Sequence, residues 1–293
     1  MGFFRRIIDR FRGRRGRDVG VLAEWLGMQE GEIQPWQKGL PSRYRYQTFK
    51  IRKKRGGWRT IEAPNDQLKG LQRLVYQKLL KELPLHEAAT GFVAGKSIVD
   101  NARPHVGQEV VINIDLKDFF PTIKAHQVML FWQAIGWSEP AAHILTNICC
   151  YRGHLPQGAP TSPALSNAVN RRLDKRLAGL AAKLKGEYTR YADDLTFSFP
   201  KFGWRQRNVV PMVKKILQEE GYAIQKKKKI RIQRPHQRQT VTGLLVNEKI
   251  NLPRKTRRKI RAMQHQRDLG RLSGRGKAEL AGYEALLSMV EEG

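Results

Sequence analysis

Tyr191-Ala192-Asp193-Asp194 stands between two segments that alternate as strands do. Tyr188 and Arg190 precede it; Leu195, Phe197 and Phe199, set against Thr196 and Ser198, follow. The pattern predicts a β-hairpin with two adjacent carboxylates at its turn. Neighbouring like charges between apolar strands repel, and a divalent cation would relieve them. By itself, the tetrapeptide is better explained by a solvated Asp-Asp turn. The decision therefore rests on whether a third carboxylate and the rest of a site exist elsewhere in the chain.

The third carboxylate is Asp115. It closes Val110-Val111-Ile112-Asn113-Ile114, a run of β-branched residues that reads as a central strand. Asp115, Asp193 and Asp194 can together form the three-carboxylate site that holds two Mg²⁺ ions for nucleotidyl transfer, with Mn²⁺ as a substitute. Hard oxygen ligands suit those ions, and the chain offers no Cys/His cluster for zinc. Around this set, residues 46–61 predict a basic hairpin whose Lys53 and Arg59 lie on opposite arms and can clasp phosphates. Leu155-Pro156-Gln157-Gly158-Ala159-Pro160-Thr161-Ser162-Pro163 predicts a rigid loop in which Gln157 and Ser162 offer neutral hydrogen bonds to a nucleotide.

Composition agrees with a polyanionic partner. The 293 residues carry Lys+Arg 55 against Asp+Glu 26, a net charge of +29. Such charge favours nucleic acid over a membrane surface and says little about fold. Lys226–Gln239 holds seven Lys/Arg and no acid, and Arg254–Arg267 holds seven more without an acid. Cys149 and Cys150 are adjacent, make no zinc spacing, and read as buried thiols of a reducing cytoplasm. No apolar run has the length of a membrane span and no signal peptide is visible.

The remaining chain predicts mainly helices. Phe3, Phe4, Ile7, Ile8 and Phe11 among arginines form a basic amphipathic helix, followed by helices at Val19–Leu26 and Leu68–Leu83. Ala125–Tyr151 is helical with a break at Gly136–Pro140, and a long helix runs from Ala164 to about Leu184. Val209–Glu220 is a further helix, Ala223–Ile232 a basic strand, and Val241–Val246 a short hairpin. Helices at Arg254–Arg267 and Ala278–Val290 close the chain.

Three segments carry a family resemblance. Ile114-Asp115-Leu116-Lys117-Asp118-Phe119-Phe120, Leu155-Pro156-Gln157-Gly158 through Ser162-Pro163, and Tyr191-Ala192-Asp193-Asp194 resemble the A, B and C motifs of reverse transcriptases, in order and at suitable separation. Phe49–Lys54 with Trp58-Arg59 is similar to that family's fingers hairpin. Gly221-Tyr222-Ala223-Ile224-Gln225 followed by Lys228 is similar to its D motif, with Gln225 where Asn is usual. The resemblance implies an α+β right-hand fold of fingers, palm (an antiparallel sheet backed by helices) and helical thumb. It divides the chain into an N-terminal helical extension (1–45), fingers (46–105), palm (106–124), a fingers/palm connection (125–163), palm (164–235), and thumb with RNA-recognition region (236–293).

Carried over by position, Asp115, Asp193 and Asp194 are the catalytic metal ligands. Lys53, Arg59 and Lys228 contact phosphates, and Gln157 lines the nucleotide pocket. The resemblance implies that Phe120 selects dNTPs by clashing with a ribose 2′-hydroxyl. Tyr191 sits beside the primer end, where the small Ala192 leaves room for it.

Asn101-Ala102-Arg103-Pro104-His105 fits the NAxxH motif of retron reverse transcriptases, and Val241-Thr242-Gly243 fits their VTG motif. This places Asn101, His105, Val241, Thr242 and Gly243 among the nucleic-acid-binding residues. The resemblance implies a dedicated structured non-coding RNA as template and priming from a 2′-hydroxyl of that RNA. The product would be branched RNA–DNA (msDNA), and the enzyme would serve an anti-phage system with an effector or toxin protein. No RNase H, protease or endonuclease domain is expected after the thumb, so a host RNase H would trim the template. Two other readings fit less well. A group II intron-like or abortive-infection reverse transcriptase would lack the NAxxH and VTG pair, and a non-catalytic RNA-binding scaffold would not need all three carboxylates.

Overall fold

The computed structural model describes residues 17–53, 56–204, 206–225 and 230–292. The predicted helix around Phe3–Phe11, Arg55 of the first hairpin's turn, and Lys228 lie outside the described residues. The described chain forms two compact units. One comprises the residues up to His86 with Asp118–Arg172; the other comprises Glu87–Lys117 with the residues from Leu173 onward.

The first unit is helical and carries one hairpin. Its longer helices are α1 (Val19–Leu26), α2 (Asp66–Val75), α3 (Ala125–Ala134), α4 (Glu139–Cys149) and α5 (Ser162–Val169). Asn65 caps α2 by accepting from the Leu68 N–H, and α2 runs on into a wider turn at Tyr76–Leu80. The break between α3 and α4 falls at Gly136, whose φ is 101°. Leu22, Trp36, Leu68, Val75, Trp132, Ile144 and Leu145 form the interior, and Cys149 and Cys150 are buried free thiols. Burial pushes the Cys149 thiol up to about 12, against a smaller opposing hydrogen bond from Thr161.

Strands β1 (Tyr46–Arg52) and β2 (Trp58–Pro64) pair antiparallel from Tyr46↔Pro64 to Arg52↔Trp58. Most of this hairpin projects into solvent: Phe49, Ile51 and Trp58 are 45%, 49% and 62% exposed. Only its base, around Glu62 and Pro64, is buried.

The second unit is built on a four-stranded antiparallel sheet, order β4-β5-β3-β6, with β3 (Val110–Asp115), β4 (Glu187–Tyr191), β5 (Asp194–Phe199) and β6 (Arg231–Gln233). β3 is paired on both sides, which explains its near-continuous apolar run; Val110, Val111 and Ile112 are fully buried. The predicted long helix is instead two. α5 ends at Asn170 and α6 (Arg171–Lys183) begins anew, burying Leu173, Leu177 and Ala181 at helical spacing. α7 (Val209–Glu219) buries Val213 and Leu217 in the same way, and Arg176 of α6 pairs with Glu219 and Glu220 at its end. Of the predicted strand Ala223–Ile232, residues 226–229 lie outside the described residues; the described part gives β6 and an isolated bridge from Ile224 to Leu116.

The C-terminal part adds a short hairpin, β7 (Thr240–Val241) and β8 (Leu244–Leu245), and two helices, α8 (Arg254–Asp268) and α9 (Gly274–Glu291). Val241, Leu244, Ile260, Leu280 and Val290 form one apolar cluster with Val99, Ala102 and Val111, which joins it to the sheet. Among the described residues, no helix is long and apolar enough to cross a membrane.

Candidate active site

The three aspartates are brought together by strand register. Asp115 at the end of β3 is the direct partner of Asp194 at the start of β5. Directly opposed residues share a sheet face with Cβ atoms about 5 Å apart. Tyr191 pairs with Asp194, leaving Ala192 and Asp193 as a two-residue turn, and the Asp193 carbonyl accepts from the Leu116 N–H at 2.9 Å. Ala192 holds φ at 57°, the left-handed value that primed hairpin turns require at their first central position. On the far side of β3, the Gln225 N–H donates to the Asp115 carbonyl at 2.9 Å and the Lys117 N–H to the Ala223 carbonyl at 2.8 Å.

The donor set consists of hard carboxylate oxygens at one end of a sheet, which fits a divalent cation. Among the described residues no three His, Cys, Asp or Glu side chains are already gathered as a metal cluster. What the fold fixes is therefore the backbone placement of Asp115, Asp193 and Asp194.

A buried scaffold holds the turn from behind. Arg190, fully buried on β4, donates from Nε and Nη2 to the two oxygens of Asp174 on α6 at 2.7 and 2.6 Å, and from Nη1 to the Ala192 carbonyl at 3.3 Å. Burial alone lowers the Arg190 pKa; Asp174 outweighs it and holds the guanidinium above its ordinary range. The Tyr188 hydroxyl donates to the same carboxylate at 3.0 Å. Gly91 closes in from the other side. A Cβ there would meet Ala192 N at 2.7 Å and Tyr191 Cα at 3.1 Å, so no larger residue fits without moving the turn. Beside it, Phe92 is 44% exposed, with its ring 6.5 Å from that of Tyr191.

Asn101 and His105, expected to contact nucleic acid, belong to this scaffold. Both are 0% exposed. Asn101 Oδ1 accepts from the Thr90 hydroxyl at 2.6 Å, and its carbonyl accepts from Thr189 Oγ1 at 3.3 Å. His105 lies with Nδ1 2.7 Å from Ser198 Oγ and Nε2 2.8 Å from Thr189 Oγ1, bridging β4 and β5. Burial depresses its pKa to about 3, so the ring is neutral. Val241 is also 0% exposed and packs in the apolar cluster. Thr242 and Gly243 form the turn between β7 and β8 with φ of 46° and 89°, and Thr242 Oγ1 donates to the Ile98 carbonyl at 3.2 Å.

In the first unit, Lys53 and Arg59 are exposed on the hairpin, Arg59 opposite Ile51. Gln157 is half-buried, and its carbonyl accepts from the Glu62 N–H at 3.0 Å. Ser162, expected to face a nucleotide, is 1% exposed, and its hydroxyl donates to the Pro156 carbonyl at 2.7 Å. Of the adjacent phenylalanines, Phe119 is the buried one and Phe120 is half-buried, their rings 5.4 Å apart and edge-on. Core packing therefore falls mainly on Phe119. Sequence reasoning missed Asp174, Arg190, Gly91 and Glu62. An Arg immediately before the Tyr-Ala-Asp-Asp turn, in an otherwise buried strand, was the one local hint.

Comparison with known proteins adds the following. A family profile described as "Reverse transcriptase (RNA-dependent DNA polymerase)" matches residues 51–244. The retron Mx65 reverse transcriptase of Myxococcus xanthus is 39% identical over 289 residues, covering 92% of this chain and 67% of that protein. The retron Mx162 reverse transcriptase of the same species is 36% identical, covering 92% and 63%. The retron Ec86 reverse transcriptase of Escherichia coli is 38% identical over 236 residues, covering 78% and 72%. The chain thus spans about two thirds of the length of the two Myxococcus proteins. Two solved structures share the fold at low identity. Telomerase from Candida albicans with the TWJ fragment of telomeric RNA matches at TM-score 0.50 and 12% identity, over 73% of this chain and 48% of that one. Apo telomerase from Candida tropicalis matches at 0.52 and 14%, over 79% and 60%.

Proposed function

This chain belongs to the reverse transcriptases of the retron type, RNA-directed DNA polymerases with a right-hand fold, and on that premise we propose that it copies part of a dedicated structured RNA into single-stranded DNA at a two-Mg²⁺ site held by Asp115, Asp193 and Asp194. The observation that carries this reading is the pairing of Asp115 with Asp194 at the sheet end, one residue from Asp193. Bound Mg²⁺ supplies a lowered pKa for the attacking 3′-hydroxyl and stabilisation of the charge that develops at phosphorus and on the leaving pyrophosphate.

The chain's own residues position the reactants. The carboxylates hold the ions, and the Arg190 and Gly91 supports keep the turn from shifting. Lys53, Arg59 and Lys228 neutralise phosphates of the incoming dNTP, and Gln157 lines its pocket. Phe120 excludes the ribose 2′-hydroxyl. Tyr191 lies against the primer end, while Thr242 and Gly243 face the RNA.

The retron relationship supports the finer reading: priming from a 2′-hydroxyl of the cognate RNA, a branched msDNA product, and template removal by a host RNase H. It also supports an anti-phage role with an effector protein in the bacterial cytoplasm. The basic helix α8 supplies phosphate contacts for RNA recognised by shape.

Primer extension on an RNA template with Mg²⁺, comparing wild type with the Asp193→Asn/Asp194→Asn double variant, tests the polymerase reading. Extension by the wild type alone is expected, and equal extension by both overturns it. Co-expression with the cognate RNA tests the priming step. The DNA should stay attached to RNA until a 2′–5′ debranching enzyme is added, and a DNA already free of RNA overturns that part.

A further inference from the structure

The exposed β1–β2 hairpin and the loop carrying Gln157 meet at Glu62. Its N–H donates to the Gln157 carbonyl at 3.0 Å. Its own carbonyl is packed so closely by Gly158, at φ 144°, that a Cβ there would lie 2.8 Å from the oxygen. Its carboxylate Oε2 lies 3.0 Å from His154 Nε2, with side-chain exposures of 9% for Glu62 and 17% for His154.

The loop is fixed on its other side as well. The Ala125 N–H donates to the Gly153 carbonyl at 2.9 Å, the Leu155 N–H to the Ile123 carbonyl at 3.0 Å, and Ser162 Oγ to the Pro156 carbonyl. His154 itself makes a backbone bridge with Lys124. A second contact to the hairpin lies one strand over, where the Tyr46 ring stacks on Tyr151 at 4.3 Å.

The hairpin is largely solvent-exposed beyond its base. It behaves as a lever: Arg59 is three residues along β2 from Glu62, about 10 Å at strand rise. A small rotation at Glu62 therefore displaces Arg59 and Lys53 by more than it displaces Gln157. We propose that the buried Glu62–His154 pair is a positioning device that sets the register of the fingers hairpin against the Gln157 loop, and so determines how tightly the incoming nucleotide is held. The inference rests on the reading of Arg59, Lys53 and Gln157 as nucleotide contacts. Neither Glu62 nor His154 needs to touch the substrate.

Single-nucleotide incorporation by the full chain tests it, with KM for dNTP, kcat and primer–template Kd measured separately. Glu62→Ala and His154→Ala are each expected to raise KM for dNTP about tenfold or more, since misplacements of the order of 1 Å have such effects, while Kd for primer–template stays within about twofold. The double variant is expected to be no worse than the more affected single one, because both remove the same contact. Glu62→Gln keeps an acceptor at the same reach, so it should restore most of the nucleotide affinity and should fold if the alanine variant does not. Gln157→Ala serves as the reference. If it raises KM while the Glu62 and His154 variants do not, the positioning role is overturned and the pocket reading stands. If Gln157→Ala leaves KM unchanged, both are overturned. Multiplicative effects of the two alanine substitutions also overturn the coupling.

Discussion

Asp115 at the end of β3 lies directly across from Asp194 at the start of β5, so two carboxylates share one face at one end of the sheet. Without a cation the pair is repulsive, and a single amide should relieve it. Asp194→Asn is expected to raise the melting temperature in EDTA and to abolish the rise that Mg²⁺ gives the wild type. Its polymerase activity should fall by about 10³-fold or more. Thermal melts with and without Mg²⁺, beside primer extension, check this. A variant still stabilised by Mg²⁺ as the wild type is would remove Asp194 from the ligand set.

Gly91 touches the backbone of the Tyr191–Ala192 turn, where neither side can yield like a flexible side chain. Gly91→Ala should cost about 1–3 kcal/mol of stability. Activity should fall about tenfold or more while RNA affinity holds. Urea unfolding and filter binding separate the two effects.

Asp174 and Arg190 are both 0% exposed and tied by two hydrogen bonds. Arg190→Met strands a buried carboxylate and should destabilise the protein by about 3–5 kcal/mol. Adding Asp174→Asn should restore part of that stability, because the uncompensated charge is gone. Recovered stability without recovered activity would separate the charge cost from the Arg190 contact with the Ala192 carbonyl.

His105 titrates near 6.5 in an unfolded chain and at about 3 in the fold, because burial disfavours its charged form. Its contribution is fully present above pH 6.5. As pH falls from 6.5 towards 3, the unfolded chain binds a proton that the native state refuses, and stability drops by about 1.4 kcal/mol per unit from this group. His105→Asn should be less stable at pH 7.5, with a gap from wild type that narrows on acidification. A constant gap between pH 7.5 and 4.5 would show that the histidine does not set this slope.

Along α8, Lys259 and Arg267 are engaged with Glu279 and Glu284 of α9, whereas Arg254, Arg257, Arg258 and Arg261 project into solvent. Arg258→Gln and Arg261→Gln should each lower the slope of log affinity against log salt for the RNA by about 1. Lys259→Gln should change it less. Equal slopes for all three variants and wild type would move the RNA track away from α8.

The local patterns were read well where residue identity and spacing carry them. Alternation around Tyr191–Asp194 gave the hairpin, the β-branched run before Asp115 gave the central strand, and amphipathic spacing gave most helices within a few residues. The continuous helix expected from Ala164 is two helices, although its apolar spacing persists across Asn170, where the backbone restarts. The polar or apolar character of Asn101, His105 and Val241 fits an interior as well as a nucleic-acid contact, and their burial depends on the rest of the chain.

By itself, the sequence determined the chemistry: three aspartates, a rigid Gln157 loop and a basic hairpin in a fixed order are legible because each is a short-range property. Only the tertiary structure decided that Asp115 opposes Asp194, that Arg190 rests on Asp174, and that Glu62 meets His154 from 92 residues away. Those pairings arise from strand register and close packing of distant segments, and they leave no period in the chain that encodes them.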